Sequence, residues 1–150
     1  MTRAMVDTSV LLRLRDTSSP QHPICVELVR TSKTSQLDLL VCAQVMIEYW
    51  VVATRPTNVN GFGLSPAEAK ADLDSFRAMF SVVPEVSDIL DIWQALVVQH
   101  SVSGRPSHDA RLAALAQAHQ IGTLITLNPA DFVRYSFLRC VAPAALIQRP

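Results

Sequence analysis

Short apolar segments alternating with helix-forming stretches of about 10–15 residues predict an α/β fold, with a parallel sheet covered by helices on both faces. Three observations carry that prediction. Leu39-Leu40-Val41-Cys42, Phe80-Ser81-Val82-Val83 and Thr123-Leu124-Ile125-Thr126 are apolar runs of the length that buried strands have. The segments between them show 3.6-residue apolar periodicity and helix start signals. A further apolar segment, Met5-Val6, ends at Asp7 and is followed by the helix-compatible Val10-Leu11-Leu12, the pattern of a strand-to-helix junction.

Taken in order, the next helix runs from Ala43 to Arg55, although Val45, Ile47, Val51 and Val52 lower its propensity. Pro56 stops it. Pro56–Leu64, with Asn58, Asn60, Gly61 and Gly63, reads as one long loop. Ser65-Pro66-Ala67-Glu68 joins an N-cap, a proline at the first helical position and a capping-box glutamate, so a helix runs from Pro66 to Met79. Ser87-Asp88 opens another, whose positions Ile89, Ile92, Trp93, Leu96 and Val97 follow the helical period. Ser107 caps the last, with Leu112, Leu115, Ala116 and His119 along one face and Gly122 after its end. Right-handed crossovers connect the strands.

A chain of 150 residues is enough for one domain with a core of its own, and residues 1–150 are read as a single domain. Apolar residues make up 49% of it, so part of the surface is expected to be covered by a partner. Basic and acidic residues balance at 13 each, and a nucleic-acid partner would need local basic patches. Cys25, Cys42 and Cys140 have neither metal nor redox spacing and read as small core residues of a reducing compartment. No leader-like or membrane-spanning run is evident, so the expected location is the cytoplasm. With four glycines and no glycine-rich turn after a strand, phosphate-loop and dinucleotide folds are excluded. Ser9 stands where a haloacid-dehalogenase-type phosphotransferase needs a second Asp. Lys33 and Lys70 do not serve a receiver-type site near the last strand.

Sites in parallel sheets form outside the carboxyl ends of the strands, which is where Asp7 falls. Asp7 taken alone is equally a helix cap. Glu48 interrupts the apolar helix Val45-Met46-Ile47-Glu48-Tyr49-Trp50-Val51-Val52, either facing solvent with Gln44 and Arg55 or serving a site. Asp109, in Ser107-His108-Asp109-Ala110, lies in a first helical turn, where the helix dipole favours an acid by about 0.3–1 kcal/mol. Thr126, Asn128 and Asp131 follow the last apolar run and offer oxygen atoms at the same edge, although Asp131 also suits a cap for Phe132-Val133-Arg134-Tyr135. Clustered carboxylates raise one another's pKa unless a cation neutralises them, and oxygen donors select Mg²⁺ or Mn²⁺ over zinc.

Val6-Asp7-Thr8-Ser9-Val10-Leu11-Leu12, Ile47-Glu48-Tyr49-Trp50, His108-Asp109-Ala110-Arg111-Leu112 and Thr126-Leu127-Asn128-Pro129-Ala130-Asp131-Phe132 together resemble the PIN-domain ribonucleases. The likeness is greatest to the VapC-type toxins of bacterial toxin–antitoxin pairs. Order and separation fit from near residue 1 to about residue 140. The resemblance implies a three-layer α/β/α sandwich with about five parallel strands, and a Mg²⁺- or Mn²⁺-dependent endoribonuclease. Asp7, Glu48 and Asp109 are implied as metal-holding catalytic acids, with Thr8, Ser9 and Thr126 as supporting hydroxyls. Many relatives place an acid two residues after the threonine; here that residue is Asn128, so the fourth position falls to Asn128 or Asp131. Arg55, Arg105, Arg111 and Arg134 are candidate phosphate contacts, which position a substrate without reading bases. The implied partners are RNA, a small antitoxin and a second copy of the chain, without a membrane. The alternative reading is a PIN-like domain with a weakened metal site acting as an RNA-binding or protein-interaction module.

Overall fold

In a computed structural model describing residues 1–147, five parallel strands stand in the order β3-β2-β1-β4-β5. They are β1 (Thr2–Val6), β2 (Leu37–Cys42), β3 (Ser81–Val83), β4 (Thr123–Ile125) and β5 (Arg139–Val141). Six helices flank them: α1 (Thr8–Arg15), α2 (His22–Ser32), α3 (Ala43–Thr54), α4 (Pro66–Met79), α5 (Ile89–Gln99) and α6 (Pro106–Ala118). The result is the expected α/β/α sandwich. Residues 148–150 of the expected single domain lie outside the described residues.

The middle strand is β1, whose Ala4, Met5 and Val6 are fully buried. Met5 pairs with Leu40 on one side and Leu124 on the other. A strand covered on both faces needs a continuous apolar run rather than an alternating one, and this sequence has it. The chain works outward from β1 through β2 to β3, then crosses back to place β4 on β1's free side. That reversal makes the carboxyl ends of β1 and β4 neighbours, the position where open α/β sheets form crevices. The Asp7 backbone N–H seals the junction by donating to the Ile125 carbonyl at 2.9 Å.

Several local expectations shift in the fold. Strand β2 begins at Leu37, two residues ahead of the apolar run, because Thr2 and Arg3 at the start of β1 pair with Leu37 and Asp38. Helix α6 starts at Pro106 with Arg105 in the capping position, so Ser107 lies inside the first turn. The Ser107 carbonyl instead accepts the Trp93 indole N–H at 2.8 Å, which joins α5 to the start of α6 and makes Trp93 a packing residue. The short helical turn after β4 is Pro129–Phe132, earlier than Phe132–Tyr135, so Asp131 lies within the turn and is not its cap. Helix α2, whose Cys25, Leu28 and Val29 are buried at i, i+3 and i+4, and strand β5 add to the expected elements; β5 is three residues long and only its neighbour β4 defines it. The capping box of Ser65 and Glu68 forms as read.

The Pro56–Leu64 loop is built onto the end of α3. Phe62 N–H donates to Val52, Leu64 N–H to Ala53 and Gly63 N–H to Arg55, satisfying carbonyls that a helix end leaves unpaired. Gly61 passes so close to Arg55 that a Cβ there would lie 1.9 Å from the Arg55 carbonyl oxygen. Gly61→Ala must push the loop off the helix end and should cost about 1–3 kcal/mol, read as a lower urea midpoint with an unchanged m-value.

Candidate active site

Five segments meet at the carboxyl edge: the β1–α1 junction, α3, the start of α6, the end of β4 and the turn after it. The Asp7 residue occupies the capping position of α1 without a capping bond. Its Oδ2 instead accepts the Thr126 hydroxyl at 2.8 Å and the Ser9 hydroxyl at 3.0 Å. Burial raises the Asp7 pKa, and the nearby Glu48 charge adds to the rise. The bonds from Thr126, Ser9 and the Thr8 backbone oppose it. Thr126 is fully buried, and its oxygen also accepts the Asn128 N–H at 3.0 Å; Ser9 accepts the Leu127 N–H at 3.1 Å. These hydroxyls therefore stitch the first strand–helix turn to the last.

Glu48 turns toward the edge, not to open solvent. Its Oε2 accepts the Thr8 hydroxyl at 2.7 Å and its Oε1 the Gln44 amide at 2.9 Å. One donor on each oxygen fixes the plane of the carboxylate. Gln44 was legible only as part of a polar helix face; that it reaches across to α6 could not be read from one helix. Its amide also donates to the His108 carbonyl at 2.8 Å and accepts from Arg111 at 2.8 Å.

In front of these residues opens a cleft of about 760 Å³, whose lining includes Glu48, Asp109, Asp131, Arg105, His108 and Arg134. Asp7 lies behind that wall, close enough for its charge to act on Asp109. Burial first, then the charges of Asp7, Asp131 and Glu48, push the Asp109 carboxyl up to about 6, with His108 opposing. Four acids thus share one electrostatic neighbourhood. Among the described residues, no three of them close on a single point as a ready-made ligand cluster. The donors are nonetheless all oxygen, crowded and short of compensating cations, a set that fits a hard divalent ion.

The other candidates separate. Asp131 faces the cleft, whereas Asn128 is exposed and contributes its backbone N–H to Thr126. Arg105 lines the cleft. Arg55 does not; its guanidinium donates to the Asn60 carbonyl at 3.0 Å, back into the loop after α3. Arg111 donates to Gln44 and, at 2.6 Å, to Glu85, and is no part of the cleft lining. Arg134, one turn beyond Asp131, is on the lining.

The sequence matches the PIN domain over residues 4–138. The chain belongs to the PIN domain family. Among curated proteins none matches it. Solved structures share the fold at low identity. A chain of the DNA-bound VapBC of Salmonella typhimurium is 15% identical, with 95% of this chain and 99% of that one covered at a TM-score of 0.70. A chain of a toxin–antitoxin complex from Klebsiella pneumoniae is 20% identical, covering 93% and 97% at 0.62. The sarcin–ricin-loop-cleaving toxin VapC20 of Mycobacterium tuberculosis is 16% identical, covering 81% and 86% at 0.59.

The raised carboxyls have a consequence for stability. Between the ordinary Asp value of 3.8 and about 6, folded Asp109 holds a proton that the unfolded chain has released. Its contribution is therefore complete below that window and lost as pH rises through it. For a half-exposed group the loss is on the order of 1 kcal/mol after solvent screening. In EDTA, Asp109→Asn should gain about 2–4 °C in Tm relative to the unaltered protein between pH 4.5 and 7. Melts across that range check it.

Proposed function

We propose that this PIN domain protein is a Mg²⁺- or Mn²⁺-dependent endoribonuclease of the cytoplasm and the toxin member of a toxin–antitoxin pair. The observation that carries the reading is the Asp109 neighbourhood: a carboxyl raised by burial and three other acids, on an open cleft that also presents Arg105 and Arg134. Asp7, Glu48 and Asp109 are the residues that would hold the metal, with Asp131 in the fourth position. When bound, the ion supplies Lewis-acid activation of water and neutralises charge on a phosphodiester.

The chain's own residues do the rest. Thr126 and Ser9 orient Asp7 by donating to one of its oxygens, and the two bonds oppose the rise in its pKa that burial causes. Thr8 and Gln44 hold the Glu48 carboxylate in one plane. Arg105 and Arg134 draw RNA phosphates to the cleft mouth without reading bases. Fold likeness to chains of toxin–antitoxin complexes supports an antitoxin partner. Exposed Ile47 and Val51 on α3, with Leu90 and Val98 on α5, are the apolar surface that an antitoxin or a second copy would cover.

Purified protein should cut RNA with Mg²⁺ or Mn²⁺ and not in EDTA. Asp7→Asn and Asp109→Asn should lower the rate by on the order of 10²–10³-fold while the fold persists. Arg105→Ala should instead weaken RNA binding and reduce its log–log salt dependence by about one. If partner-free protein cleaves no RNA under any metal condition, the reading gives way to a non-catalytic binding module.

A further inference from the structure

We propose that Gln44 is the positioning residue that sets the separation between Glu48 and Asp109, and that Arg111 and Glu85 lock it in place. The inference rests on the nuclease reading and names how its metal-holding acids are spaced. Every polar function of the Gln44 amide is used, and each use has one sense. Its nitrogen donates to Glu48 Oε1 at 2.9 Å and to the His108 carbonyl at 2.8 Å, two groups that only accept. Its oxygen accepts from Arg111 Nη1 at 2.8 Å, a group that only donates. Turning the amide over would set oxygen against two acceptors and nitrogen against a cation, so this orientation is the one the site permits.

The consequence is mechanical. Gln44 stands one helical turn before Glu48 on α3, and His108 is the residue before Asp109 on α6. The side chain therefore ties two helices at the points where each delivers an acid. Those acids repel each other, and the Glu48 charge contributes to the raised Asp109 carboxyl. Without a strut the repulsion would spread α3 from α6. Arg111 supplies the anchor, since its other guanidinium nitrogen donates to Glu85 Oε2 at 2.6 Å. Arg111 thus serves the metal-holding acids through Gln44, rather than an RNA phosphate.

Mn²⁺ binding to the whole protein tests this by the loss of the free-ion electron paramagnetic resonance signal, without any turnover. Gln44→Met keeps length and helix preference while removing all three bonds; it should weaken Mn²⁺ binding about 10–100-fold, the range seen when partners of metal-holding groups are lost. Arg111→Met should weaken it by a smaller factor. The double variant should be no worse than Gln44→Met, because Arg111 acts through Gln44. Unchanged Mn²⁺ affinity in folded Gln44→Met overturns the proposal. So does an Arg111→Met protein that keeps its Mn²⁺ affinity and loses only RNA affinity. Failure of the unaltered protein to bind Mn²⁺, with Asp7→Asn as the matched control, overturns the nuclease reading beneath it.

Discussion

The carboxylates of Asp7, Glu48, Asp109 and Asp131 repel one another across one edge of the sheet, and the fold has to hold them there. That repulsion explains why the neighbourhood is so heavily hydrogen-bonded. Thr126 and Ser9 both donate to Asp7, and Thr8 and Gln44 to Glu48. Charge-assisted bonds of this kind are about twice as strong as neutral ones. Those to Asp7 oppose, without cancelling, the desolvation that raises its pKa. Asp109 accepts no hydrogen bond among the described residues and rises furthest into the physiological range, to about 6.

The scaffold supports this arrangement through burial rather than through charge. With β1 buried between β2 and β4, the junction at Asp7 cannot slide without moving Met5 and Val6 out of the core. Helix α3 is anchored from below by fully buried Tyr49, whose ring meets Phe76 edge-on at 4.8 Å and whose hydroxyl donates to Asp72. One residue earlier on the same helix, Glu48 is thereby aimed at the cleft. The loop after α3 pairs the helix's last carbonyls, so both ends of that helix are held.

Much of this was legible in the amino-acid order. Strands β1, β2 and β4 announce themselves because buried parallel strands demand unbroken apolar runs, whereas edge strand β3 shows a short run of the same kind with Ser81 and Val82 exposed. Helix α4 announces itself because its capping box is a local hydrogen-bond pattern. Glu48 stood out because a carboxylate inside an apolar helix is costly without partners. The start of α6 lies ahead of Ser107 because Pro106 takes the first helical position and the Ser107 and His108 N–H groups already close the turn onto Gly104 and Arg105. Strand β5 was legible only through the family resemblance, since three residues carry too little pattern of their own.

What the sequence by itself determined is the alternation of strands and helices, and the acids placed at their junctions, since both arise from local periodicity and turn chemistry. Which of Asn128 and Asp131 faces the cleft, and which partner each arginine finds, were decided by the tertiary structure. Asn128 and Asp131 differ by three residues of chain but face different ways once the Pro129–Phe132 turn forms. Arg55, Arg105 and Arg111 look alike in a sequence. Packing sends one to a loop carbonyl, one to the cleft and one to the Gln44 amide. A side chain's partner depends on which elements the sheet order brings together, and that order is a property of the whole chain.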